Sequence, residues 1–397
     1  MRYEAIVIGA GPAGATAALL LARAGWLVAI VEKSDFPRRK VCGEFVSATS
    51  MPLLRELGVL DEFLKRAGPE VRRVGLFSKD VTLAAPMPQP LTGPSKWGRA
   101  LGREHLDRLL LQAAEHAGAV VWQPWKASEL RPIDSGYECT VTAAEDAKVL
   151  TAPVVIAAHG SWENGALPTQ SAAPHASSDL LGFKAHFVDC DLVADLMPLL
   201  AFPGGYGGMV HSDCGRVSLS CCIRRDTLHQ CRSELNSPRA ADAVLHHVES
   251  SCSGVRRTLK RATLDHAWLS AGPIRPGIRD RYAKGIFRVG NCAGEAHPIV
   301  AEGISMAMQS AALLCRLLTA RRKDVLAGRG AAELGRRYAA EWDNLFAPRI
   351  RASSLFATLA MSSAAAALVL PLMKGFPGLL TVGAQLSGKT QQAYAGT

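Results

Sequence analysis

Apolar positions change their period along this chain, and the changes divide it. Tyr3 to Ile8 is a mostly apolar run, Gly9-Ala10-Gly11-Pro12-Ala13-Gly14 interrupts it, and Ala15 to Ala24 is rich in Ala and Leu up to Gly25. A second run, Leu27 to Val31, ends at Glu32. Short apolar runs bounded by glycine predict strands buried on both faces, and the stretch between them predicts a helix with a left-handed stop at Gly25. The run Pro153 to Ala158 and the segment Gly285 to Val289 repeat the strand pattern, each ending in small residues. From Leu181 to Val188 and from Val210 to Ile223 apolar and polar residues alternate instead, around Gly204-Gly205-Tyr206-Gly207-Gly208. Period two with glycine turns predicts an antiparallel sheet. Helical spacing places Leu106, Leu109, Leu110 and Ala113 on one stripe, and further helices are predicted from Arg239 to about Glu249, Gly303 to Leu318 and Ala331 to Arg351.

These periods assign residues 1–180 and 271–330 to a discontinuous α/β nucleotide-binding unit, and 181–270 to an antiparallel-sheet substrate domain. Residues 71–97, with prolines at 86, 88, 90 and 94, read as short strands contributing to that sheet, and 331–397 form a helical C-terminal region. Ala352 to Leu372 is uncharged, but its Ala content and two Ser pairs make it too mildly apolar for a confident span. It reads as a helix capping the substrate domain, with an interfacial helix as the alternative.

Composition narrows the class. A hydrophobic fraction of 48% in 397 residues supports about two folded cores rather than long disorder. The net charge of +10 is carried by scattered Arg pairs, which excludes a nucleic-acid surface and leaves a weak pull toward anionic substrates or lipid head groups. Ten cysteines without metal-ligand spacing read as reduced thiols of a cytoplasmic protein, and an N-terminus that is already a strand leaves no place for a signal peptide. Cys221 and Cys222, adjacent on a strand, should face opposite sides of the sheet.

The opening segment carries chemistry. Gly9 permits the tight turn, Gly11 lets backbone approach a pyrophosphate, and Gly14 lets helix and strand pack closely. Pro12 and Ala13 open the helix whose free N–H groups face the phosphates. Glu32, followed by Lys33, stands where an acid accepts ribose hydroxyls. This fingerprint followed by Arg39-x-x-Cys42-Gly43-Glu44 resembles the single-component FAD oxidoreductases that include geranylgeranyl reductases, flavin-dependent halogenases and aromatic monooxygenases. Gly290-Asn291-Cys292-Ala293-Gly294, with Pro298 and Glu302-Gly303-Ile304, is similar to that family's second flavin motif, with Asn291 where Asp is usual. Similarly, His159 stands where the family writes Asp. The resemblance implies a Rossmann-like FAD-binding domain. It further implies that Lys33, Arg39, Cys42, Gly43 and Arg103 contact FAD beside the fingerprint, with Gly290, Asn291, Pro298, Gly303 and Ile304 along its ribityl and ring portions.

Glu44, Tyr206 and His297 are the candidates for proton chemistry near the flavin. The resemblance implies an FAD-dependent oxidoreductase of secondary metabolism, preferred as a monooxygenase acting through a flavin hydroperoxide on a hydrophobic or aromatic small molecule. A reductase of carbon–carbon double bonds is the alternative. A halogenase ranks lower because the family's Trp-x-Trp-x-Ile-Pro stretch and lysine are not found, and a non-catalytic flavin binder ranks with it. A single nucleotide fingerprint implies that electrons come from NAD(P)H visiting transiently or from a reductase partner. A carrier protein and weak peripheral membrane contact complete the expected partners, with no metal.

Overall fold

The computed structural model describes residues 1–91, 93, 95–161, 165–170 and 174–390; Pro94 and the end of the polar tail lie outside the described residues. β1 (Ala5–Ile8) lies between β2 (Val28–Val31) and the strand Val154–Ala157, parallel to both. Every residue of these three strands is buried, as strands covered on both faces require. Val120–Trp122, Ile286–Arg288 and Tyr282–Ala283 complete a six-stranded sheet. The helix α1 (Pro12–Arg23) is buried at every position but Leu20 and Arg23, because it runs between the helices Arg103–His116 and Gly303–Ala320. A helix apolar all round is stable only in such a place. Lys126–Ile133, Gly136–Ala143 and Asp146–Ala152 form an antiparallel meander whose buried residues pack with the parallel sheet in one core.

The second sheet has seven strands in the order Thr263–Ile274, Leu180–Val188, Val217–Arg224, Gly205–His211, Leu196–Phe202, Arg73–Ser78, Val81–Pro86. All its pairings are antiparallel except Leu196–Phe202 with Arg73–Ser78. One face packs on helices from 225 to 258 through Leu228, Val244, Val248 and Val255. Cys221 joins that core while Cys222 joins the core on the other face, as the alternation of strand side chains demands. The helix Arg225–Leu235 escapes the sequence reading because it buries only Leu228 and Cys231.

The helix that begins at Ala331 continues past Arg351 to Met361 and contains Pro348. It then bends by 101° into Ser363–Gly375, followed by Leu379–Ala384. Gly303–Ala320 is long and apolar enough to cross a membrane, but 78% of it is buried inside the protein, where it packs on α1.

Candidate functional site

The two sheets enclose a cavity of about 340 Å³. Gly9, Gly11, Pro12, Ala13, Glu32 and Lys33 line it from the parallel sheet, and Met197, Leu199, Tyr206, Met209 and Val210 from the second sheet. Two fingerprint glycines are demanded by packing. Gly9 has φ +102°, and a Cβ there would stand 2.7 Å from the Ala158 carbonyl oxygen; one on Gly14 would stand 1.8 Å from that of Gly9. Gly14 therefore lies behind the cavity, joining helix to strand.

Gly11, Gly43 and Gly303 are different. A Cβ on Gly43 or Gly303 would meet no atom within 4 Å, and one on Gly11 only Arg103 Nη2 at 3.6 Å, so their side-chain directions open into the cavity. Among the described residues no side chain caps α1 or the helix Gly303–Ala320, which leaves both helix starts directed at whatever fills the cavity. Gly290 brings the second motif onto the first: its N–H is held by Ser310 Oγ at 2.9 Å, and a Cβ there would lie 2.9 Å from that of Ala13. Asn291 Nδ2 donates to Glu295 Oε1 at 2.9 Å, so the amide oxygen is its remaining acceptor for a ribityl hydroxyl. Pro298 and Ile304 line the same wall. An open cradle between two helix starts, with hydrogen-bonding groups at the right ends, fits an adenine-linked flavin.

Arg103 lies beside Gly11, held by Asp107 through bonds of 2.7 and 2.8 Å. Glu32 is already engaged: its carboxylate accepts from Ala10 N, Ser34 N and both terminal nitrogens of Arg38, at 2.7 to 3.0 Å. Binding a ribose there requires the Arg38 pair to open or share. Arg39, expected at the cofactor, is not among the cavity-lining residues and instead reaches His186 Nδ1 at 3.1 Å. Its neighbour Arg38 takes the place by the nucleotide end.

Glu44 corrects a second expectation. It is fully buried at φ +63°, with one carboxylate oxygen on Lys184 Nζ and the other 2.8 Å from His186 Nε2. Burial alone would raise its pKa; the Lys184 and His186 beside it outweigh that and hold the carboxyl well below the ordinary carboxylate range. A carboxylate so engaged is an anchor rather than a proton carrier. It fixes the turn Cys42-Gly43, whose Cys42 carbonyl also accepts from Ser220 Oγ at 3.0 Å.

Tyr206 and His297 do meet. The Tyr206 hydroxyl lies 3.0 Å from His297 Nδ1; Tyr206 is fully buried and His297 half-buried. Burial lowers the His297 pKa to about 4 and pushes that of Tyr206 well up. At neutral pH the imidazole is therefore uncharged, and a phenol donating to it is the consistent arrangement. Pro298 and Ala296 line the cavity on either side of His297, which reaches it through Tyr206.

Sequence reasoning missed Arg38, Lys184, His186 and Glu295. The signal for Lys184 and His186 was present: two basic residues at i and i+2 on a buried strand require an acid opposite. Glu295, buried between Asn291, Ser161 and Arg279, has its pKa raised chiefly by burial. His159, at the Asp position, contacts Thr169 Oγ1 at 2.8 Å and Cys292 Sγ at 3.6 Å. Glu104, His105 and Asp213 have metal-type ligand atoms within reach of each other, but Arg216 bonds both carboxylates.

Comparison with known proteins agrees with this geometry. The chain is 26% identical over 339 residues to conditioned medium factor receptor 1 of Dictyostelium discoideum, covering 78% of this chain and 62% of the relative, so it spans under two thirds of that protein. It is 24% identical to a menaquinone reductase of Mycolicibacterium smegmatis, over 80% of this chain and 76% of that one. It is 26% identical to the 6-methylpretetramide 4-monooxygenase of Streptomyces rimosus, over 81% and 77%. A flavin-dependent brominase superposes with TM-score 0.75 at 16% identity, covering 98% of this chain and 94% of that one, which establishes a shared fold. The FAD binding domain profile matches residues 2–347. The chain belongs to the FAD binding domain family.

Proposed function

We propose that the protein is a monooxygenase that inserts oxygen into a hydrophobic aromatic small molecule bearing a hydroxyl group. The Tyr206–His297 pair carries this reading. Bound FAD supplies the electron and dioxygen chemistry. Met197, Leu199, Met209 and Val210 present an apolar wall that keeps water from the substrate. Tyr206 donates its hydrogen bond to His297 Nδ1, which leaves the phenolic oxygen, beside the Cys222 thiol, with acceptor capacity for a substrate hydroxyl. The substrate hydroxyl donates to Tyr206 Oη, while His297 Nδ1 accepts the Tyr206 hydrogen bond and holds that phenol in place, so the pair orients and polarises the substrate ring for oxygenation. An imidazole held neutral by burial is a poor proton donor, which suits an orienting role better than delivery of a proton to a reduced carbon. Similarity to the Streptomyces rimosus monooxygenase supports the reading. NAD(P)H visiting the cavity is the proposed electron donor.

The test is anaerobic photoreduction of the holoenzyme, addition of a hydroxylated aromatic, then isotopically heavy dioxygen. The expected product carries one heavy oxygen atom. Tyr206→Phe is expected to keep its FAD and lose about 10²- to 10⁴-fold in product formation. Reoxidation by an alkene substrate without dioxygen would overturn the reading in favour of double-bond reduction.

A further inference from the structure

We propose that the C-terminal helices form a docking face for an anionic lipid bilayer. Ser363–Gly375 and Leu379–Ala384 are apolar on both faces. Inward, Leu370, Leu380 and Ala384 are buried in the cluster that holds Met197 and Val210, two residues of the cavity wall. Outward, Leu368, Leu372, Phe376, Leu379, Val382 and Leu386 recur every three or four residues, and Leu368 and Phe376 are 80% and 65% exposed. Surface positions turned to water on two successive short helices ordinarily carry polar residues; these do not. Leu91, 83% exposed, adjoins the patch through its N–H bond to the Thr390 carbonyl.

Charge identifies the occupant. Asp343 is the last acidic residue of the chain, so residues 344–397 contain none, while Arg351 and Lys374 are exposed. An outward apolar stripe that carries the exposed Lys374 and no acid, on a protein of net charge +10, complements an anionic bilayer surface. A second copy of the chain would bring the same acid-free face against itself. The 101° bend turns Ser363–Gly375 out of line with the preceding helix. At 13 residues it extends roughly 20 Å, short of the roughly 30 Å hydrocarbon core, so it lies in the interface rather than across it. Because its inner side abuts the cavity wall, an apolar compound dissolved in the bilayer would meet the protein at the substrate end.

The test is co-sedimentation of the holoenzyme with phosphatidylglycerol/phosphatidylcholine vesicles and with pure phosphatidylcholine. The expected result is salt-sensitive binding that favours the anionic vesicles. Leu368→Gln and Phe376→Gln are each expected to weaken it by about ten- to a hundredfold, and Lys374→Gln by about fivefold. FAD content and urea midpoint should stay at wild-type values, which separates lost docking from lost fold. Failure of the wild type to bind anionic vesicles overturns the proposal, as does unchanged binding by the Leu368→Gln/Phe376→Gln pair. A wild-type dimer in sedimentation equilibrium that this pair dissociates overturns it too, as does capture of an acidic carrier protein that the pair abolishes while vesicle binding persists. None of these readouts depends on which reaction the flavin performs.

Discussion

Lys184→Met isolates the anchor of the turn beside the flavin site. The methionine keeps most of the aliphatic volume and removes the ammonium that meets Glu44, leaving a buried carboxylate with His186 alone. Both partners are fully buried, so solvent cannot replace the lost charge. Removing one member of such a pair costs about 3–5 kcal/mol, whereas replacing both by neutral groups of similar size is often close to neutral. Urea unfolding of the wild type, Lys184→Met, Glu44→Gln and the double variant should therefore give two strongly destabilised singles and a double that recovers most of the loss, all at similar slope. The pH dependence has a definite sign. Glu44 is held below its unfolded value, so its contribution is complete above about pH 4.3 and is lost as the pH falls further. The gap between wild type and Lys184→Met should accordingly narrow in acid. FAD affinity should fall with the single substitutions, because Glu44 holds Gly43 at the cavity edge. A Lys184→Met protein within about 1 kcal/mol of wild type, the value of an exposed ion pair, would refute the reasoning. So would a double variant whose loss equals the sum of the singles.

Three further outcomes follow from the glycines and from His297. Gly303→Val is expected to fold with a near-wild-type midpoint but to purify without yellow colour, since its side chain would enter open cavity; full FAD content measured by absorbance would contradict this. Gly14→Ala is expected to lose about 1–3 kcal/mol even without cofactor, because its methyl collides with the Gly9 carbonyl and separates helix from strand; an unchanged apo midpoint would count against it. The His297 pKa, brought to about 4 by burial, lies below the unfolded value of about 6.5, so the unfolded chain binds the proton first. Stability should therefore rise with pH between those values, and His297→Gln should remove that slope; identical pH profiles would show that the imidazole is not held neutral.

The parts legible in the sequence are those whose requirement is local. Gly9 and Gly14 answer to a turn and a helix start within six residues of each other, and the apolar run before them answers to burial on both faces. Period-two alternation likewise announced the second sheet and the opposite orientations of Cys221 and Cys222. The choice between Arg38 and Arg39 was not local. The path of the loop after Glu32 decides which guanidinium faces the nucleotide end, and neither residue type nor spacing encodes that path.

Glu44 makes the distinction sharper. In sequence it stands next to Cys42 and Gly43, and an acid beside a flavin motif reads as chemistry. In the fold, Lys184 lies 140 residues away and His186 142, and both converge on its carboxylate. Their strand reads Leu180-Leu181-Gly182-Phe183-Lys184-Ala185-His186, and it buries both basic residues among apolar neighbours. A buried cation without an acid would be prohibitively costly, so that strand already implied an acidic partner, and only the identity of the partner was hidden. Tyr206 and His297, 91 residues apart, show the converse: each was legible as a candidate, but their pairing depends on the second sheet placing its glycine hairpin against the turn that follows the second flavin motif. The pair on which the proposed chemistry rests is thus a property of the junction between the two sheets, which no single stretch of the chain contains.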